Sequence, residues 1–369
     1  MAEIKKIALF LPSLHGGGAE RVMVALANGI SSRGYKVDLV LFNAEGSYLK
    51  DVNASVNVVS LGVSRAIFGV LKLAKYLKGE KPTVLLSAMN YMNVVALLAR
   101  EVALSDTKVI VSEHSTLSVA MVKSQFSIRI FLPRLMSFFY KKADVVVAVS
   151  EGVANDLATT IHFDSKKIEV IYNPVVSSEV IEQSKEAAGH PWMDAPGCQT
   201  VLSVGRFVPA KDFFTLIKAF NSLIKAGLDI RLVILGEGEQ RKDLERLITQ
   251  LNLNDKIILP GFVKNPFSWM RKASLFVLSS AWEGLPTALI EAMACGSRVV
   301  STNCPSGPFE ILEGGRWGHL VAVGDHVALA ETMRAALNSH TAPDVTIRAN
   351  EFSTVKAIDA YCLLMGRLI

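Results

Sequence analysis

What most constrains this chain is a recurring run of continuous apolar residues, each of strand length. KIALFLPSL, VDLVLFN, VNVVSL, TVLLSAM, KVIVSEH, DVVVAVS and IEVIYNP follow one another through the first half, with helical spacing between most of them. Strands that alternate apolar and polar residues keep one face wet, whereas continuous apolar strands must be covered on both faces. That requirement is met by a parallel sheet between helical layers. Residues 1 to 173 therefore read as a doubly wound, Rossmann-like α/β domain.

Between residues 174 and 199 the pattern lapses into a polar, proline-containing stretch with Glu179, Glu182, Lys185, Glu186, Pro191 and Pro196, which reads as a linker. A second series follows: TVLSVGRF, IRLVILGEG, KIILPGFV, SLFVLSS, RVVSTN and HLVAVG. Residues 200 to 352 thus read as a second Rossmann-like domain, and 353 to 369 as a helix with Val355, Ile358, Tyr361, Cys362 and Met365 at helical spacing. A length of 369 residues agrees, being too much for one ordinary core.

Composition removes several classes. The net charge of +5 comes without a Lys/Arg run long enough for a nucleic-acid surface, so no nucleic-acid partner is expected. Cys198, Cys295, Cys304 and Cys362 lack C-x-x-C spacing and a nearby His cluster, and read as reduced thiols of a cytoplasmic protein. The opening MAEIKKIALFLPSL has no small-residue cleavage site, and no apolar run approaches the ~20 residues that span a bilayer. A soluble or peripherally membrane-bound protein is expected.

Two such domains are expected to face one another across a cleft, with ligands at the carboxyl ends of the strands. The stretch Ser279 to Ser297, SSAWEGLPTALIEAMACGS, is the most telling of these ends. Pro286 stands where a helix begins, a position that tolerates its missing N–H. The N–H groups of Gly284, Leu285 and Thr287 then point off a positive helix end, suited to phosphate. Glu291, among Leu289, Ile290, Met293 and Ala294, is expected to be partly buried. A carboxylate only accepts, so the partners of Glu291 must be donors such as sugar or ribose hydroxyls; the alternative is an exposed helix Glu291 plus a loop Glu283.

Other strand ends add to this. Leu14 to Glu20, with Gly16, Gly17 and Gly18, lets backbone approach a ligand, but the G-x-G-x-x-G spacing is absent and the second strand ends in Phe42 and Asn43 without an acid for an NAD ribose. His114 follows the strand KVIVSE and is read as either structural or ligand-binding. Arg206 and Lys211, spaced G-R-x4-K from Gly205, set a guanidinium fork and an ammonium beside one diphosphate. No D-x-D motif offers a metal site, so neither metal nor other cofactor is expected. The loops at Gly236 and at Gly261 to Asn265, including Val263, suit a base and ribose, although each taken singly is also an ordinary turn.

The combination G-R-x4-K, G-E-G, G-F-V and E-G-L-P-T-A-L-I-E resembles the retaining glycosyltransferases of family 4, which have the GT-B fold, over nearly the whole chain. The run Ser301 to Leu312, STNCPSGPFEIL, is similar to members that build bacterial surface polysaccharides and lipid-linked oligosaccharides. The resemblance implies that the helix 353 to 369 crosses back to the first domain. It implies that Arg206 and Lys211 hold the donor diphosphate, Glu291 the ribose diol, and Glu283 the hydroxyls of the transferred sugar with Gly284, Leu285, Pro286 and Thr287. Gly17 and Gly18 would approach the diphosphate, His114 the donor sugar, and Val263 the base. Glu283, His114, Arg206 and Lys211 are then the catalytic candidates.

The implied activity is metal-independent, retaining transfer of a hexose or N-acetylhexosamine from a nucleotide diphosphate sugar, a UDP-sugar by analogy, to a polyprenyl-diphosphate-linked glycan. Residues 65 to 78 put Ile67, Val70, Leu71, Ala74 and Leu77 on one helical face flanked by Arg65, Lys72 and Lys75. Residues 123 to 142 mix Lys123, Arg129, Arg134, Lys141 and Lys142 with Phe126, Phe131, Phe138, Phe139 and Tyr140. Both patterns suit an anionic membrane surface on the cytoplasmic face of the inner membrane, or helices packed on their own sheet. The competing readings are a nucleotide-sugar-binding protein without transferase activity and an NAD-dependent oxidoreductase.

Overall fold

In the computed structural model every continuous apolar run is a parallel strand. The first seven are β1 (Lys6–Leu11), β2 (Lys36–Leu41), β3 (Val56–Ser60), β4 (Val84–Ala88), β5 (Lys108–Glu113), β6 (Val145–Ala148) and β7 (Ile168–Val170). The next six are β8 (Gln199–Val204), β9 (Ile230–Leu235), β10 (Ile257–Gly261), β11 (Leu275–Leu278), β12 (Val299–Thr302) and β13 (His319–Val321). The structure describes residues 5–15, 17–63, 66–122, 128–194, 197, 199–339 and 341–369. Gly16, Arg65, Lys123, Phe126, Pro196 and Cys198, and the side chains of Ile67 and Arg129, named above, lie outside the described residues.

The chain divides into unit 1, Met1–Pro174 with Thr354–Ile369, and unit 2, Val175–Ser353. Unit 1 holds a sheet ordered β3-β2-β1-β4-β5-β6-β7, and unit 2 one ordered β10-β9-β8-β11-β12-β13. In each, the first strand sits inside the sheet and the order reverses beside it: Leu9 of β1 lies between Leu39 of β2 and Leu86 of β4, and Leu202 of β8 lies between Val233 of β9 and Phe276 of β11. Crevices at such reversals are where open α/β sheets take ligands. Topology therefore makes the loops after β1, β4, β8 and β11 candidate site loops.

Burial on both faces follows. In unit 1, Ile7, Leu9 and Leu11 of β1 pack with Met23, Leu26 and Ile30 of the helix Gly18–Ser32 and with Ile358, Tyr361 and Met365 of the last helix, Thr354–Leu368. The two helices meet at Gly29, where a Cβ would stand 2.0 Å from Ile358 Cδ1. In unit 2, Val201, Leu232, Leu275 and Val300 pack with Leu216, Phe220, Leu329 and Met333.

Two expectations need correction. The 174–199 stretch is built into unit 2: it holds the helices Ser178–Ser184 and Pro191–Asp194, and Asn265 Nδ2 donates to Gln183 O at 2.8 Å. Its polar composition hides the buried side chains Val175, Val176, Val180 and Met193, which anchor it. In the helix Ala66–Glu80 the buried face carries Leu73, Ala74, Tyr76 and Leu77, whereas Phe68 and Leu71 are 52% and 62% exposed. Gly69 lies against Phe42, where a Cβ would meet Cζ at 2.4 Å, so only glycine admits that ring.

The helix Ile128–Phe139 exposes Phe131, Leu135 and Phe138, with Arg134 over the Phe131 ring at 6.0 Å and Lys142 over Phe138 at 5.7 Å. No helix among the described residues is long and apolar enough to cross a membrane. Cys295, Cys304 and Cys362 are free thiols, and burial pushes Cys295 and Cys304 up to about 12.

Candidate active site

In unit 2 the loops at the carboxyl ends of β8, β9 and β10 are bonded to one another. Gly205 N–H donates to Leu235 O at 3.0 Å, Phe207 N–H to Glu237 O at 2.8 Å and Gly236 N–H to Gly261 O at 2.9 Å. Gly236 has φ +141°, and a Cβ on it would lie 1.9 Å from Gly205 O. No side chain fits there, so this glycine is required by the interlock itself. Val263, half-buried, follows in the loop after β10, beside the exposed Phe262.

The interlock carries Lys211. Its stem crosses Gly205, where an added Cβ would meet it at 3.3 Å. Asp212, at φ +43°, turns the chain at once and accepts from Thr215 N–H to cap the helix Phe213–Lys225. Lys211 Nζ reaches Glu283 Oε1 at 2.5 Å, with the two side chains 20% and 12% exposed. Ser280 Oγ donates to the same oxygen at 2.6 Å, and Thr302 Oγ1 to Ser280 O at 2.6 Å. Ser279 Oγ donates to Lys211 O at 2.8 Å and Ala281 N–H to Ala210 O at 2.8 Å, tying the β8 and β11 loops together. Arg206 is exposed, and among the described residues its guanidinium has no carboxylate partner.

Thus Lys211 and Glu283, expected on different parts of one ligand, hold each other. The pair is largely desolvated, so a ligand that separates the two must offer each a replacement. A diphosphate offers oxygens to Lys211 and a sugar offers hydroxyls to Glu283.

The helix Thr287–Ala294 starts after Pro286, which is its N-cap rather than its first residue. Gly284, Leu285 and Pro286 are buried and Thr287 half-buried. Gly307, at φ +97°, closes on this start, a Cβ there meeting Pro286 Cδ at 2.3 Å. Glu291 is buried, as its apolar neighbours imply. Among the described residues no group of three or more His, Cys, Asp or Glu side chains is placed to hold a metal ion.

Unit 1 contributes Gly17, Gly18 and His114. Gly17 caps the helix Gly18–Ser32, its N–H donating to Glu20 Oε2 at 2.6 Å. A Cβ on Gly18 would meet nothing within 4 Å, so the protein itself does not require glycine there. His114 Nε2 lies 3.1 Å from Ser112 Oγ, and burial pushes the imidazole down to about 4, leaving it neutral. Beside it Glu113 is fully enclosed, and burial raises its carboxyl to about 7 against the opposing effect of hydrogen bonds from Tyr140 and Asn93.

Sequence reading missed Ser280, Thr302, Ser112, Glu113 and Tyr140. Polar residues at the ends of apolar strands are the available signal for Ser112, Glu113, Ser280 and Thr302, whereas Tyr140 lies in the turn Tyr140–Lys142 and meets Glu113 from 27 residues away.

Comparison with known proteins follows this geometry. The family "Glycosyltransferase Family 4" matches residues 16–179 and "Glycosyl transferases group 1" matches residues 195–351. The chain is 31% identical to the N-acetylgalactosamine-N,N'-diacetylbacillosaminyl-diphospho-undecaprenol 4-alpha-N-acetylgalactosaminyltransferase of Campylobacter jejuni, over 98% of this chain and 100% of that one. It is 27% identical to the lipopolysaccharide core biosynthesis glycosyltransferase LpsE of Rhizobium meliloti, covering 86% and 84%. Among solved structures it is similar to Anabaena HepE in complex with UDP and glucose, with TM-score 0.79, 21% identity and 98% and 99% coverage. Sucrose-phosphate synthase from Thermosynechococcus elongatus gives TM-score 0.82 at 18% identity, covering 99% of each chain. The fold is GT-B.

Proposed function

The chain belongs to glycosyltransferase family 4, and from that premise we propose that it transfers a hexosyl or N-acetylhexosaminyl group from a nucleotide diphosphate sugar to a polyprenyl-diphosphate-linked bacterial glycan. Transfer proceeds with retention and without a metal ion. The observation that carries this reading is the Lys211–Glu283 contact at the β8/β11 reversal, with the exposed Arg206 on the same loop.

The donor diphosphate draws Lys211 from Glu283 and takes the Arg206 fork, so two cations neutralise it in place of a metal. Glu283, released, accepts from hydroxyls of the moving sugar, with the backbone of Gly284 to Thr287 beside it. Glu291 accepts from the ribose diol, the Gly236 and Val263 loops enclose ribose and base, and Gly17, Gly18 and His114 act from unit 1. With both glutamates engaged, no carboxylate serves as the nucleophile of a retaining glycosidase. The acceptor oxygen bonds to the anomeric carbon on the face that the phosphate oxygen leaves. The carbon–oxygen bond breaks with its electron pair on the diphosphate, and the acceptor proton passes to that departing oxygen. Positioning and charge stabilisation supply the rate.

A UDP-sugar is favoured by analogy with similar polysaccharide enzymes. The acceptor class is supported by the Campylobacter relative, whose name carries diphospho-undecaprenol. Peripheral attachment to anionic lipid on the cytoplasmic face is supported by exposed Phe131, Leu135 and Phe138 beside Arg134 and Lys142, and by Phe68 and Leu71 beside Lys75 and Lys78. Sedimentation with anionic liposomes at low salt tests it, and a protein left in the supernatant removes it.

A thermal-shift panel of UDP, GDP, ADP and NAD with EDTA present tests the donor. A true ligand at a hundredfold its Kd adds about 2.7 kcal/mol, several degrees of melting temperature. No shift with any nucleoside diphosphate overturns the reading. Labelled product from wild-type enzyme separates a transferase from a binding protein, and its anomeric configuration tests retention.

A further inference from the structure

The fold uses one nitrogen of His114 and leaves the other. Nε2 lies 3.1 Å from Ser112 Oγ, which in turn lies 3.3 Å from the phenol oxygen of Tyr361, 249 residues further along the chain on the last helix. Nδ1 is buried and, among the described residues, has no hydrogen-bond partner. Ser112 and Tyr361 are 0% and 2% exposed, so bulk water does not complete the chain. An orphaned buried nitrogen is costly until something bonds to it.

The direction of the chain follows from counting protons. If Tyr361 donates to Ser112 Oγ, serine's single proton is left for Nε2, which accepts it, and the neutral ring carries its own proton on Nδ1. Every proton but Nδ1–H is then used. In the reverse direction Nε2–H donates to serine and serine to the phenol. The Tyr361 proton then has no acceptor among the described residues, while Nδ1 stays unpaired as well. The first arrangement leaves one group unmet and the second leaves two.

We propose that Tyr361 is a positioning residue for His114, acting through Ser112 to hold the imidazole in its Nδ1–H form, so that an acceptor oxygen of a donor sugar whose binding uncovers this nitrogen meets one neutral N–H donor. This rests on the family 4 reading of His114 as a donor-sugar contact. Burial, which pushes the ring down to about 4, keeps it neutral as the chain requires. The last helix thereby does more than cover a core: its phenol sets which nitrogen of a distant ring carries hydrogen.

The test uses the full chain labelled with ¹⁵N at its seven histidines, and long-range ¹H–¹⁵N spectra that report which ring nitrogen is protonated. The peaks of His114 are assigned by their loss in His114→Gln. Expected are a protonated Nδ1 in wild type and a mixture of tautomers in Tyr361→Phe, which keeps the ring's packing, and in Ser112→Ala. Each variant should lose about three- to tenfold in donor kcat/KM, the worth of one neutral hydrogen bond. Tyr361→Phe added to Ser112→Ala should cost nothing more. If Tyr361→Phe fails to fold, Ser112→Ala decides. A protonated Nε2 in wild type, or variants with unchanged tautomer and kcat/KM, overturns the proposal. A tautomer that shifts as expected in a protein that turns over no nucleotide sugar upholds the relay and removes the donor-sugar role instead.

Discussion

The strand-end sites of the two units are built on opposite principles. In unit 2 the loops after β8, β9 and β10 are laced together and Lys211 meets Glu283, so the charges of that pair already balance each other. In unit 1 Gly18 stands in open space and His114 is neutral, with Nδ1 unmet among the described residues. On the proposed function, a ligand would exchange partners in unit 2 but would only add a bond in unit 1. Exchange between desolvated charges is selective, because an incoming group that satisfies only one partner strands the other.

Four substitutions probe that contrast, in decreasing order of effect. Gly236→Ala should lower the stability of unit 2 by about 4 kcal/mol, combining backbone strain with a Cβ driven into Gly205 O. All four tryptophans, Trp192, Trp269, Trp282 and Trp317, lie in unit 2, so their fluorescence in urea reads this unit alone. A loss below about 1 kcal/mol would mean that the loops are not interlocked.

Next comes Glu113. Burial raises its carboxyl from 4.5 to about 7, so its contribution is fully present below pH 4.5 and is lost as pH rises through 7, about 3 kcal/mol in all. His114 runs the other way: lowered from 6.5 to about 4, it stabilises above pH 6.5 and is lost as pH falls through 4. Between these limits the neighbours oppose each other. Wild-type unit 1 should be nearly flat from pH 6.5 to 4.5, whereas Glu113→Gln should weaken steadily on acidification. Hydrogen exchange of β5 amides measures this, and parallel pH profiles would break it.

Lys211→Ala should remove at least ~2 kcal/mol of transition-state stabilisation, the effect of deleting one preorganised charge. Near-wild-type kcat/KM for the donor would take Lys211 out of the mechanism. Smallest is Gly18→Ala, expected to change stability by less than about 0.5 kcal/mol, since its Cβ meets nothing. A weakened donor KM in that stable variant would assign the glycine to ligand approach.

Much of this was legible in the sequence, and the limits have a physical pattern. The thirteen strands among the described residues stand where apolar runs predicted them, because burial on both sheet faces leaves an unbroken signature in the central strands, although the edge strand β3 is mostly exposed. The burial of Glu291 was readable from its immediate neighbours. What escaped depends on contacts distant in sequence: Glu283 lies 72 residues from Lys211, and Tyr361 meets Ser112 only through the packing of the last helix. On Ala66–Glu80 the expected face holds for Ala74 and Leu77 but not for Leu71, and Gly69, which packs against Phe42, carries no hydrophobic signal. Apolar periodicity records that a helix is half-buried more faithfully than it records which residue a neighbouring ring will choose.

The place of Thr354–Leu368 in unit 1 also bears on how the chain is made. Ile358, Tyr361, Leu364 and Met365 belong to the core of the first unit but are synthesised after the whole of the second. During translation, unit 2 can close while unit 1 still lacks one wall, a wait on the order of ten to forty seconds at ordinary elongation rates. The first unit to emerge from the ribosome is thus the last to be completed.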